Sequence, residues 1–122
     1  MDLVNSLYSS VRTTEYLEAW EKTSTREIPT DLLEYKKKYG LTELRLVLTL
    51  FDQAGILLRR KLIDAELVQD FFGPTVIETW EKYKPLYEEE ERRLNRPHVY
   101  QAVEYLYNEL KKREQQRVSK TT

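Results

Sequence analysis

The stretch Leu41–Leu58, LTELRLVLTLFDQAGILL, constrains this chain more than any other. Leu44, Val47, Leu48, Phe51 and Leu58 fall at the i, i+3, i+4, i+7 spacing of a helix. Leu46, Leu50 and Leu57 add a second stripe, so the helix is apolar around most of its circumference. Such a helix is buried in a core or spans a membrane. Glu43, Arg45, Asp52 and Gln53 interrupt a run that is already short, which argues against a span. The spacing therefore predicts a central helix over about 42–58, the axis of an all-α bundle of five or six helices.

Turn material is scarce, with 3 Gly and 4 Pro in 122 residues, and strand-rich folds need more. A chain of this length fits one domain with a core that needs no staples. We expect a single domain over 1–116 and a frayed polar tail over 117–122. Without cysteine there is no disulfide, zinc ribbon or thiol nucleophile, and the composition suits a reducing cytoplasm. The N-terminal segment lacks a basic region followed by an apolar core, so it does not read as a signal peptide.

Before the central helix, Leu3, Val4, Leu7, Tyr8, Val11, Leu17 and Trp20 recur at helical spacing, predicting a helix over Leu3–Lys22. SSVRTT in its middle predicts a break, because Ser and Thr compete for backbone hydrogen bonds. Thr30 or Asp31 caps a short helix that Gly40 ends, and Asp31 with Glu34 has capping-box spacing. Thr42 is placed as the cap of the central helix, with Leu41 and Leu46 as a hydrophobic staple. Gly55 costs about 1 kcal/mol relative to Ala inside a helix, which a close helix crossing would justify.

After the central helix, Asp64 caps a short helix with Leu67, Val68, Phe71 and Phe72 inward, and Gly73-Pro74 breaks it. Val76, Ile77, Trp80, Tyr83, Tyr87 and Leu94 form the next stripe, with a kink at Pro85. Pro97 begins the last helix, whose stripe is Val99, Val103, Leu106 and Leu110.

Between Leu50 and Leu106 the chain reads FDQAGILLRRKLIDAELV, then ETWEKYKPLYEEEERR, then VEYLYNEL. In this order it resembles an uncharacterised family of small all-helical domains of bacteria and archaea. The residues that carry the resemblance are Asp52, Gln53 and Gly55, the pair Ile63-Asp64, Trp80, Pro85 and Arg92. It implies a helical fold and no mechanism. Many members carry a transmembrane helix before the domain, for which this sequence has no suitable run.

Catalytic chemistry has little to stand on. His98 is the single histidine and is expected at the surface of a first turn, so a di-metal carboxylate site cannot form. There is no H-E-x-x-H, no nucleophile elbow and no Gly-rich phosphate loop. No cofactor or metal is expected. Asp52, on the most apolar helix, has two readings, a buried acid with a raised pKa or a residue that faces solvent or forms a structural ion pair with Arg45, Arg12 or Arg92, and the second is expected. The Glu88–Glu91 run points all round its helix and reads as a solvated face, pairing Glu88 with Arg92 and Glu89 with Arg93.

Two readings remain. With 9 Tyr and 2 Trp, the chain has residues suited to interfaces, and Tyr35, Tyr39, Tyr100, Tyr105 and Tyr107 are the candidates. The first reading is a non-enzymatic interaction or scaffold module, with a protein partner or a homodimer. The second is a nucleic-acid-associated accessory protein using Arg59, Arg60, Lys61, Arg92, Arg93 and Arg96. A net charge of −1 and acidic neighbours around each cluster count against it.

Overall fold

The structure is a computed structural model that describes residues 3–29, 31–95 and 100–121, without the side chains of residues 3, 4, 90, 93, 94 and 118–121. The described residues form six helices and no strand: α1 (Leu3–Ser10), α2 (Thr14–Thr25), α3 (Leu32–Tyr39), α4 (Thr42–Arg59), α5 (Ala65–Leu94) and α6 (Gln101–Thr121). Helix α4 is central, packing most extensively on α6 and then on α2. Leu44, Val47, Leu48, Leu50, Phe51, Ala54, Gly55 and Leu58 are all buried, so the first stripe lies in the core, while Leu46 and Leu57 of the second are half-buried and pack against it.

The expected break after Ser10 is real. Thr13 caps α2, its hydroxyl accepting from the Tyr16 N–H at 3.2 Å. The break resets the helical phase. Tyr16, Ala19 and Thr23 turn inward, while Leu17, expected on the apolar stripe, is exposed. Asp31 Oδ1 accepts from the Glu34 N–H at 2.8 Å, and Gly40 ends α3 at φ 75°. The cap of α4 falls one residue earlier than expected. Leu41 holds the cap position, where its side chain has no atom to accept a hydrogen bond and packs against the core instead. Asp64 caps α5, accepting from the Glu66 N–H at 2.9 Å.

Helix α5 bends at Gly73 (φ 29°, ψ −120°) and resumes at Pro74. Helical dihedrals continue through Pro85, where the sequence suggested a kink. Helices α5 and α6 run antiparallel: Tyr87 meets Tyr100 (5.4 Å between rings), Lys84 meets Glu104 (3.1 Å), Glu81 meets Lys111 (3.4 Å) and Gln69 meets Arg113 (2.9 Å). Val103, Leu106 and Leu110 are buried as expected, while Pro97, His98 and Val99 lie outside the described residues, as does Thr30. Helix α6 continues to Thr121, through residues 117–121 of the expected tail, whose predecessors in Gln, Lys, Glu and Arg favour helix. Where α6 crosses α4, a Cβ on Gly55 would stand 2.0 Å from the Ala102 carbonyl oxygen, so the two backbones touch.

Candidate functional site

Asp52 does not have the partners its sequence suggested. It stands on α4 half-buried, and its Oδ1 accepts from the Val103 N–H at 3.3 Å. The Ala102 N–H is a second donor to it. Both belong to the first turn of α6, where backbone N–H groups lack partners within their own helix. Asp52 is thus a cap supplied from a neighbouring helix, and the Gly55 crossing is what brings it there. Burial pushes its carboxyl above the ordinary range, against the N–H groups of Val103 and Ala102 and the charge of Arg59. Arg45 is exposed and contributes to the surroundings of Tyr100. Arg92 pairs with Glu89. Arg12 lies over the Tyr8 ring. The expected Asp52 ion pair with Arg45, Arg12 or Arg92 is therefore corrected: backbone donors on α6 satisfy the acid instead.

A second polar assembly fastens α2 and α3 to α5. Tyr83 donates to the Thr23 carbonyl at 2.6 Å. Its single proton being used there, Tyr35 donates to Tyr83 at 3.2 Å, and Arg26 donates to Tyr35 at 2.9 Å. Lys82 Nζ donates to the Thr23 and Ser24 carbonyls at 3.1 and 3.0 Å, closing the C-terminal end of α2. Burial and the hydrogen bond with Tyr35 push the Tyr83 phenol far up, and burial draws the Lys82 ammonium down. Arg26 also lies over the Tyr39 ring at 4.7 Å and pairs with Glu43 at 3.4 Å. These groups hold helix ends.

The five candidate interface tyrosines divide. Tyr35 is fully buried, which removes it from the surface set, because its hydroxyl is needed in the network just described. Tyr39, Tyr100, Tyr105 and Tyr107 are half-buried and pack against the core. Tyr107 donates to Glu81 at 2.8 Å, and burial with that contact raises its phenol to about 12. In the acidic run, Glu88 pairs with Lys84 at 3.5 Å and Arg92 with Glu89, one turn back from the pairings expected of the sequence. Among the described residues no three His, Asp or Glu side chains gather to hold a metal ion. A cleft of about 410 Å³ opens at the Gly73 bend, between Gln69, Asp70 and Ile77 of α5 and Leu110 and Glu114 of α6.

Of the basic residues, Arg59, Arg60 and Lys61 are exposed at the end of α4, and Arg92 is exposed near the end of α5. The Arg93 side chain and Arg96 lie outside the described residues. The turn after α4 is a Schellman motif, with Lys61 donating to the Leu58 carbonyl at 3.0 Å and Leu62 to the Leu57 carbonyl at 2.9 Å. Lys61 holds the left-handed position at φ 60°.

What the sequence did not announce is the apolar surface beside this turn. Leu62 is 53% exposed, Tyr8 40% and Leu67 38%, although Leu67 was expected inward. Leu67 and Phe71 are one helical turn apart, and Phe71 contacts the Tyr8 ring at 5.2 Å. Next to them a shallow hollow of about 240 Å³ lies between α1 and α4, lined by Leu7, Ile56 and Leu57 with Ser6, Ser10 and Gln53. One signal for it was present: Leu62 belongs to no helical stripe.

Comparison with known proteins adds a family. The model of a domain of unknown function, DUF4760, matches residues 4–110, and the chain belongs to that family. No curated protein and no solved structure matches the chain. Among the described residues, no helix is long and apolar enough to cross a membrane.

Proposed function

We propose that this member of the DUF4760 family is a non-catalytic helical interaction module that associates with itself. One observation carries the reading. Tyr8 and Leu67, two of the five large apolar side chains that stand exposed among the described residues, are joined through Phe71, and Leu62 stands exposed in the α4–α5 turn that leads to them. Single exposed apolar residues are ordinary on a monomer, whereas a contiguous group marks an interaction surface. The polar interior supports the same reading. Asp52, Lys82 and Tyr83, whose titration burial shifts, each satisfy backbone groups of a neighbouring helix, so these three groups have structural work.

Size-exclusion chromatography with light scattering and two-wavelength absorbance tests the proposal. A dimer mass with clean protein absorbance supports it, and a monomer mass at high concentration overturns self-association. The second reading, a nucleic-acid-associated protein, draws on the exposed Arg59, Arg60 and Lys61. Nucleic acid that persists through a high-salt wash moves the conclusion there.

A further inference from the structure

We infer that the groove between the N-terminal part of α5 and the C-terminal part of α6 binds a small zwitterion. Its ligand is a short aliphatic chain with an ammonium group at one end and a carboxylate at the other.

The groove owes its room to Gly73. At φ 29° this residue takes a conformation that side chains rarely adopt, and a Cβ built there would meet nothing within 4 Å. Pro74, which resumes the helix, has no N–H to return to the Asp70 carbonyl four residues back. The bend thus opens the hollow of about 410 Å³ and deprives Asp70, which lines it, of a helical donor. A second hollow of about 400 Å³ adjoins it, and Gln69, Asp70 and Arg117 line both. Hollows of this size suit a small ligand.

The lining divides by charge. At the bend, the carboxylates of Asp70 and Glu114 are set against the guanidinium of Arg117, and the buried Ile77 and Leu110 complete the wall. Two anions to one cation favour a positive group there, and the two apolar side chains suit an aliphatic stem. The adjoining hollow adds Arg113, one helical turn from Arg117 on α6, and Glu66, one turn from Asp70 on α5. It therefore lies between an acidic wall and a basic one.

The two walls do not close on each other. Gln69 holds Arg113 instead, its Oε1 accepting from the Arg113 Nε–H at 2.9 Å. That bond leaves the terminal N–H groups of the guanidinium, the fork that receives a carboxylate in two parallel hydrogen bonds. Among the described residues, the side chains of Glu66 and Asp70 form no hydrogen bond or ion pair within the chain. Glu114 is shared with Lys111 at 3.9 Å, and Arg117 is engaged within the chain. Asp70 is therefore assigned to the cation and Arg113 to the anion. A ligand of one sign gains one wall and is repelled by the other, whereas a zwitterion gains both.

Nitrogen–proton correlation NMR on the full chain tests the site, with ε-aminocaproate as the probe. Saturable shifts are expected at the Gly73 amide and the Arg113 side chain, with a dissociation constant on the order of 1 mM for so small a ligand. Caproate and hexylammonium, which keep the stem and one charge each, are expected to bind at least about fivefold more weakly. Asp70 is exposed, so Asp70→Asn is expected to leave the melting midpoint unchanged, to weaken ε-aminocaproate and to spare caproate. Arg113→Gln is expected to weaken ε-aminocaproate and to spare hexylammonium, a split that a merely structural role does not produce. Trialanine separates two sources of the same chemistry: tighter binding than ε-aminocaproate names a peptide, and weaker binding names a free amino acid. No saturable shift at Gly73 or Arg113 up to about 20 mM overturns the site. Equal binding of caproate or hexylammonium overturns the zwitterion.

Discussion

Gly55→Ala separates two opposed expectations. On helix propensity alone it stabilises the chain by about 1 kcal/mol. The α4–α6 crossing reverses that sign. The added Cβ stands 2.0 Å from the carbonyl oxygen of Ala102 and 2.6 Å from its carbonyl carbon. Both are backbone atoms, so neither can rotate away. Ordinary contact begins near 3.4 Å, and the helices must part by about 1.4 Å, the difference between the two distances. That movement reaches the cap, because the Val103 nitrogen is already 3.3 Å from Asp52 Oδ1. Overpacking costs about 1–3 kcal/mol, and a lost cap costs about 1 kcal/mol. After the propensity gain, the net loss is about 1–3 kcal/mol. For 122 residues the unfolding entropy is about 0.26 kcal/mol/K, so the midpoint falls by about 4–12 °C. Scanning calorimetry reads this directly. A midpoint equal to or above that of the unmodified chain refutes the backbone-contact account of the crossing.

Three further outcomes follow from the same structure. Lys61→Gly relieves a left-handed residue at φ 60° and is expected to raise stability by about 1 kcal/mol; a lower midpoint in thermal melts contradicts the turn assignment. Asp52→Asn keeps an acceptor for the first turn of α6 but removes the titration. Because the folded state holds the Asp52 proton more tightly than the unfolded chain, stability falls as pH rises from the ordinary carboxylate value through the raised one. Urea melts between acid and neutral pH should therefore show Asp52→Asn gaining on the unmodified chain as pH rises, and a parallel pair of curves rejects the shift. Lys82→Met leaves the Ser24 carbonyl without its 3.0 Å partner and is expected to cost about 1–2 kcal/mol; an unchanged urea midpoint means that water serves those carbonyls equally well.

What could be read in the sequence was whatever depends on residues close together along the chain. The stripes of the central helix, the caps at Asp31 and Asp64, the stop at Gly40 and the break near SSVRTT all rest on local periodicity and local hydrogen bonding, and the structure contains each. Gly55 lay between the two kinds of knowledge. Its presence in a helix implied a close crossing, but only the fold names Ala102 as the backbone it meets. The helical phase across the break could not be carried forward, since three residues outside helical geometry rotate α2 against α1. Hence Leu17 faces outward where Tyr16 faces in.

The polar groups were decided by tertiary structure alone. Asp52 and Val103 are 51 positions apart, and Tyr83 and Thr23 are 60 apart, so no spacing rule connects them. Tyr35 reads like an interface tyrosine because amphipathic side chains suit surfaces and satisfied interiors equally. Its hydroxyl partners, Arg26 and Tyr83, settle it as interior. The same holds in reverse at the α4–α5 corner. A short run alternating cations, leucine and anions is ordinary in a sequence, and it becomes a candidate docking surface only when the left-handed turn at Lys61 leaves Leu62 outside while Ile63 goes in. Local chemistry sets where helices start and stop. Which of their faces are covered, and which remain for a partner, depends on contacts between distant parts of the chain.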